Sequence, residues 1–380
     1  MIEVAKRLQN VEEYYFSKKL REVAILKSQG KPIINLGIGS PDLAPPSKSI
    51  MSLQESLGDD GAHKYQGYQG LPQLREEISN FYKRQYNVDL SSKTEVLPLM
   101  GSKEGIMHIS MAFLNKGDKV LVPNPGYPTY SAVTKLLEAK PIFYNLKEDN
   151  NWLPDFSALE RLDLKRVKIM WINYPHMPTG SNADNKFYDK IIAFGKRHNI
   201  LIVNDNPYSF ILNKKPISIL RYKDAKEVCL ELNSLSKTYN MAGWRVGMLV
   251  GNHNIVNAVL RVKSNMDSGM FYGIQKGAIE ALKCSDMWFQ SLNSVYQIRR
   301  ELIWKLADNL KCTYDKYASG LFVWAKLPAN IKSEEFTDLV LKKYSIFITP
   351  GTVFGSNGEG YVRFSLCASE EIIKDAIARV

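Results

Sequence analysis

Lys168-Ile169-Met170-Trp171-Ile172 and Ile200-Leu201-Ile202-Val203 stand on either side of a helical stretch, Phe187 to His198. The second run is apolar and mostly β-branched, the pattern of a strand buried on both faces. A strand, a helix and a strand in this order make a βαβ unit, which requires a parallel pair. The same texture continues downstream in Val228-Cys229-Leu230-Glu231-Leu232 and Val246-Gly247-Met248-Leu249-Val250. Upstream, Leu71 to Tyr86 is amphipathic with Pro72 in its first turn, and Glu95 to Met100 reads as extended. Glu104 to Leu114 reads as helix, Lys119 to Val122 as strand, and Tyr130 to Leu137 as helix. The expected fold is α/β, a large domain with a mainly parallel sheet flanked by helices.

The ends of the chain differ. Val4 to Ser28 has helical periodicity and Gly30 marks its stop. Ile33 to Ile38 reads as a short strand leading into the turn Gly39-Ser40-Pro41-Asp42. From about Ser285 come a long charged helix (Asp286 to Leu310), a strand (Leu321 to Leu327), a helix (Ser333 to Tyr344) and a strand (Tyr361 to Leu366). This predicts a large domain over 45–285 and a smaller α+β domain formed by 1–44, with its N-terminal arm, and 286–380. A chain of 380 residues is long enough for both.

Composition narrows the function. Hydrophobic residues at 45% and charged residues at 23% are ordinary for a globular protein. The net charge of +11 is scattered, as in Lys18, Lys19, Arg21 and Lys27, without a basic run and interleaved aromatics, so no nucleic-acid partner is expected. Cys229, Cys284, Cys312 and Cys367 form no CxxC pair, which suits free thiols in a reducing compartment. With no apolar leader and no run of membrane-spanning length, a cytoplasmic location and no membrane partner are expected. No metal site is read.

Polar residues fall just after the expected strands, where parallel strands present their carboxyl ends to one crevice. Gly101-Ser102-Lys103 follow one strand, Asn173 a second, Asp205 a third, and Ser234 to Lys237 a fourth. Gly101 to Gly105 would open a helix with free N–H groups suited to a phosphate. There is no Walker A loop, and Gly37-Ile38-Gly39 lacks the third glycine of a dinucleotide fingerprint.

The stretch Ser234-Leu235-Ser236-Lys237, with Arg245 eight residues later in Gly243-Trp244-Arg245-Val246-Gly247, is far more specific. It resembles the class I/II aminotransferases, fold-type I enzymes that use pyridoxal 5'-phosphate. The resemblance implies a Schiff base on Lys237, with Ser234 and Arg245 on the cofactor phosphate beside Gly101, Ser102 and Lys103. Asn204-Asp205-Asn206-Pro207-Tyr208 is similar to the family's Asp-x-x-Tyr segment. It implies Asp205 at the pyridine nitrogen, Tyr208 at the ring's 3-oxygen and Pro207 over one face. Pro125-Gly126-Tyr127-Pro128-Thr129-Tyr130 resembles the family's P-x-Y-x-x-Y loop and puts Tyr127 on the other face. Lys64 to Leu71 resembles the segment whose tyrosine, here Tyr65, reaches the phosphate of a neighbouring subunit, which implies a homodimer with shared active sites. Arg363 in Tyr361-Val362-Arg363-Phe364-Ser365 and the backbone of Gly39 would hold the substrate carboxylate.

One position departs from the family. Where Asn-Pro-Thr-Gly is usual, this chain has Met177-Pro178-Thr179-Gly180, and a thioether is only a weak acceptor. The resemblance implies that this asparagine hydrogen-bonds the cofactor's 3-oxygen and helps the arginine hold the carboxylate, which makes Asn173 or His176 the candidate to take over from the same loop. The implied activity is transfer of an amino group from an L-amino acid to a 2-oxo acid. A β-lyase acting on a sulfur amino acid shares the fold and most motifs, and a non-catalytic regulatory or binding protein is the reading of another class. Substrate choice falls to the loops around Tyr14-Tyr15-Phe16, Ser264 to Phe271 and Thr349 to Phe354. The resemblance points toward the branch with aspartate-type and diaminopimelate-type enzymes.

Overall fold

The computed structural model describes residues 2–380. Its main sheet has seven strands in the order Val96–Leu99, Gly247–Gly251, Cys229–Ser234, Leu201–Asp205, Val167–Ile172, Lys119–Asn124 and Lys140–Asn145. The five strands from Cys229–Ser234 to Lys140–Asn145 are parallel. Gly247–Gly251 runs antiparallel to both neighbours, so the sheet is mainly but not wholly parallel. Alternate residues of one strand feed two cores. Met170 and Ile172 pack with Phe187, Ile191 and Phe194 of the helix Asn185–His198, while Ile169 and Trp171 pack with Ile106 and Ile109 of the helix Ser102–Phe113. A strand buried on both faces is what its unbroken apolar run requires.

A second, antiparallel sheet orders Thr349–Pro350, Tyr361–Ser365, Phe322–Lys326 and Thr313–Tyr314. Its core joins Phe322, Val362 and Phe364 to Tyr296 and Ile303 of the long helix Asp286–Asn309 and to Phe336 of the helix Ser333–Tyr344. The N-terminal segment joins this part of the molecule, because Ile34–Asn35 pairs in parallel with Ile346–Phe347.

Some elements differ from their sequence-based expectation. The strand expected over Ile33 to Ile38 is only two residues long. The Asn35 side chain accepts from the N–H groups of Gly37 (3.1 Å) and Ile38 (3.2 Å), which turns the backbone out of the ladder. The helix expected over Val4 to Ser28 divides into a short turn, Lys6–Asn10, and the helix Tyr15–Ser28. The strand Lys140–Asn145 and the helices Ser47–Ser56, His253–Lys263, Tyr272–Leu282 and Glu370–Ala378 are additional. Among the described residues no helix is long and apolar enough to cross a membrane.

Candidate active site

The carboxyl ends of the parallel strands open onto a cavity of about 400 Å³. Asp205 and Ser234 end their strands, Asn173 follows Val167–Ile172, and Tyr127 follows Lys119–Asn124. Ser102 opens a helix just after Val96–Leu99, and Arg245 lies just before Gly247–Gly251. Arg363 and Phe322 reach the same space from the smaller sheet, and Tyr14, Phe16 and Leu20 reach it from the N-terminal arm.

One end of the cavity is built for an anion. Gly101 has φ 89°, a conformation that favours glycine, and a Cβ there would meet the Arg245 guanidinium. This close approach lays Arg245 across the start of the helix Ser102–Phe113, where unpaired N–H groups and the helix dipole attract negative charge. Arg245 is held by its own backbone (φ 56°) and by a bond from Nη1 to the Ala242 carbonyl (2.8 Å). The Ser234 side chain accepts from the Ser236 N–H at 3.1 Å, and both serines line the wall.

Behind this end lie the groups suited to an aromatic heterocycle. Asp205 is 5% exposed; its Oδ2 accepts from the Tyr130 hydroxyl at 2.8 Å, and its Oδ1 has no partner. Burial pushes this carboxyl up to about 6, and the Tyr130 hydrogen bond acts in the opposite direction. Burial raises the Tyr208 phenol, which therefore stays a hydrogen-bond donor at neutral pH. Pro207 and Tyr127 complete this part of the wall. Lys237, in the short helix Leu235–Thr238, donates to the Gly39 carbonyl. Burial pushes its ammonium down, against an opposing pull from Cys367 and with help from Arg363 and Arg245, and a larger neutral fraction favours nucleophilic attack.

The other end is aromatic. The Arg363 guanidinium lies 3.8 Å from the Phe322 ring centroid, 4.7 Å from Phe354 and 5.4 Å from Phe16. Its Nη2 donates to the Gly37 carbonyl at 2.8 Å, its Nη1 meets the Met177 sulfur at 3.4 Å, and its Nε is buried without a partner. Burial lowers it to about 10, which still leaves it charged at neutral pH. A bulkier residue than Gly39 would collide with the Phe322 ring, so that turn can pass beside the site only as glycine.

The structure brings Gly39, Ser102, Lys103, Tyr127, Asn173, Asp205, Pro207, Tyr208, Ser234, Lys237, Arg245 and Arg363 into the wall of one cavity, with Gly101 behind Arg245. Lys103 sits with its ammonium 4.3 Å from the Tyr14 ring centroid. Tyr65 stands apart, 91% exposed and outside the cavity wall. His176 is buried outside the wall, bonded through Nδ1 to Thr179 Oγ1 (2.8 Å) and held neutral by burial, which lowers it to about 3. It does not occupy the place left by Met177. Asn173 does reach the cavity, but its amide donates to the Asp205 carbonyl and its oxygen accepts from the Met177 N–H at 2.8 Å. Sequence reasoning missed Tyr130, Ser236, Leu20 and Phe322 as wall residues. Tyr130 and Ser236 were present in quoted motifs, whereas Leu20 and Phe322 carry no local signal.

The residues fit pyridoxal 5'-phosphate: an anion cradle, an amine, and a buried carboxylate oxygen lacking a donor lie around one cavity. Comparison with known proteins agrees. The family described as "Aminotransferase class I and II" matches residues 31–380. An LL-diaminopimelate aminotransferase of Dehalococcoides mccartyi is 39% identical over 100% of this chain and 98% of its own length. The apo structure of BacF from Bacillus subtilis superposes with a TM-score of 0.96 at 37% identity, covering 100% of this chain and 98% of that one. A double mutant of Thermus thermophilus aspartate aminotransferase, at 23% identity, has the same fold with a TM-score of 0.92 over 100% of this chain and 99% of that one.

Proposed function

The chain belongs to the class I and II aminotransferases, pyridoxal 5'-phosphate-dependent enzymes, and on that premise we propose how its own residues perform the transfer. The observation that carries the proposal is the meeting of Lys237, Asp205, Arg245 and Arg363 in one cavity. Lys237 would hold the cofactor, with Ser234, Arg245 and the N–H groups from Ser102 onward on its phosphate. Asp205 Oδ1 would accept from the ring nitrogen and Tyr208 would donate to the 3-oxygen. Tyr127 and Pro207 would hold the ring between them, with Gly101, Lys103 and Asn173 shaping the surroundings. When bound, the cofactor supplies an aldehyde for the amino group and a ring that accepts the electron pair left at Cα.

Arg363 would take the substrate carboxylate on its free edge, beside the backbone of Gly39, and so fix which Cα bond faces the ring. Lys237, released when the substrate amine takes its place, would remove the Cα proton and return it on the other side of the transfer. Its lowered basicity suits that work.

We assign residues 45–285 to a large cofactor-binding domain, and the N-terminal arm with 286–380 to a small domain; the two sheets and the Ile34–Ile346 pairing support this division. We also propose a homodimer. Tyr65, Tyr68, Met266 and Phe271 are exposed, and the loops carrying them touch where Gly269 approaches Gln66. Such a face suits a second copy, to whose phosphate Tyr65 would reach. Four free cysteines fit a cytoplasmic setting.

The test is a spectral titration of the holoenzyme with a panel of amino acids that includes LL-diaminopimelate, the substrate named for relatives, and apolar amino acids. Transamination predicts that a true donor converts the absorbance of the lysine-bound cofactor to that of its aminated form, and that a 2-oxo acid restores it. Steady release of pyruvate and ammonia from a sulfur amino acid, without an oxo acid, would overturn it in favour of β-elimination.

A further inference from the structure

We propose that Tyr130 is a positioning residue: through its hydroxyl it fixes Asp205 so that Oδ1 alone faces the cofactor ring nitrogen. This rests on the assignment of Asp205 to that nitrogen. The geometry is specific. Tyr130 is 1% exposed, in the first turn of the helix Pro128–Leu136, and its hydroxyl donates to Asp205 Oδ2 at 2.8 Å. Its ring is stacked on Trp171, with centroids 4.9 Å apart and planes 4° from parallel. The Tyr127 ring meets it edge-on at 5.5 Å. The phenol is therefore clamped on a neighbouring strand and turned toward the end of the strand that carries Asp205.

A carboxylate has two oxygens and can turn about its last bond, so a single buried ring N–H does not by itself choose between them. Tyr130 makes that choice by occupying Oδ2 and leaving Oδ1 without a protein partner. The hydrogen bond also bears on charge. Burial favours the neutral acid at Asp205, and the Tyr130 hydroxyl is the group that opposes it. A protonated Asp205 would compete with the ring for the proton instead of holding the ring in its protonated state. Tyr130 thus acts on the cofactor only through Asp205, and the second tyrosine of the loop gains a role distinct from that of Tyr127.

Tyr130→Phe tests this, because it keeps the ring and its stacking and removes only the donor. Two readouts apply besides turnover: the dissociation constant for pyridoxal 5'-phosphate, and the 15N chemical shift of ring-labelled cofactor in the holoenzyme. The expected result is cofactor binding weakened about tenfold, the scale of one hydrogen bond to a charged group. The 15N signal should move toward the unprotonated ring, while the apoprotein melts within a few degrees of the wild type. The variants Asp205→Asn and Tyr130→Phe/Asp205→Asn complete the set. If Tyr130 works through Asp205, the double variant binds cofactor nearly as Asp205→Asn does. Equal and additive losses, or a wild-type 15N shift in Tyr130→Phe, would overturn the positioning role. A 15N shift unmoved by Asp205→Asn would instead overturn the assignment of Asp205 to the ring nitrogen. A large fall in apoprotein stability with an unchanged 15N shift would mark Tyr130 as structural and overturn the proposal as well.

Discussion

The two ends of the cavity are held together in different ways. At the cofactor end, Ser234, Ser236, Lys237 and Arg245 come from one short stretch, fixed by the end of a strand, one turn of helix and the left-handed backbone of Arg245. Their placement is local and polar. At the substrate end, Arg363, Met177, Phe16, Phe322 and Phe354 come from five separate stretches, brought together by strand pairing in the smaller sheet and by side-chain packing around the guanidinium. The lysine and arginine of the cofactor end are specified by the backbone of their own stretch, while Ser102, Tyr127 and Asp205 reach the same end from the carboxyl ends of other strands. The substrate end, made from five stretches, is specified by the whole fold and is freer to vary with substrate.

The largest break in this comparison is Lys237→Ala. Loss of the covalent anchor and the proton-transfer group together should lower transamination by about 10³-fold or more. Stopped-flow turnover with a good donor measures it, and wild-type rates would end the account of the cofactor end. Arg363→Gln should cost less, about 100-fold in kcat/KM, with most of the loss in KM, because charge-assisted bonds to the carboxylate are removed. The two ends should also differ in stability. Arg363 is a buried cation with one unpartnered nitrogen, so its removal should leave the melting temperature of the apoprotein unchanged or raised. A marked fall in melting temperature would mean that the three rings depend on the guanidinium for their packing.

The same contrast explains what could be read in advance. The cofactor end was legible because Ser234, Lys237 and Arg245 sit at fixed spacing within one motif, and Ser102, Asn173 and Asp205 each lie at or just after the end of a strand. The βαβ unit around Lys168 to Ile172 and Ile200 to Val203 was legible too, since burial on both faces leaves no polar position between Ile169 and Ile172 or between Ile200 and Val203. Phe322 was not legible, because it meets Arg363 only once Phe322–Lys326 is paired with Tyr361–Ser365. The strand Lys140–Asn145 was missed because an edge strand with exposed Lys140, Phe143 and Asn145 has no clean alternation. Ile33 to Ile38 was read as too long a strand because apolar residues continue past Asn35, whose side chain closes the ladder.

Met177 is where the substrate end departs from its family, and it offers the smallest and sharpest test. The sulfur meets Arg363 Nη1 at 3.4 Å, a weak contact from a soft acceptor. An asparagine oxygen there would accept a stronger bond, restrain the guanidinium further and offer its amide to the substrate carboxylate. Met177→Asn should therefore lower KM for the amino donor about threefold, in line with one modest hydrogen bond. It should also cost stability, because Met177 is 5% exposed in an apolar cluster with Tyr208 and Phe322. A fall of roughly 2–4 °C in melting temperature matches a loss of about 1 kcal/mol in a unit of this size. Opposite signs in affinity and stability would identify Met177 as packing that replaced a polar contact. An unchanged KM would mean that Arg363 is already held well enough by Gly37 and the three rings, and that the missing asparagine has no bearing on how the carboxylate is held.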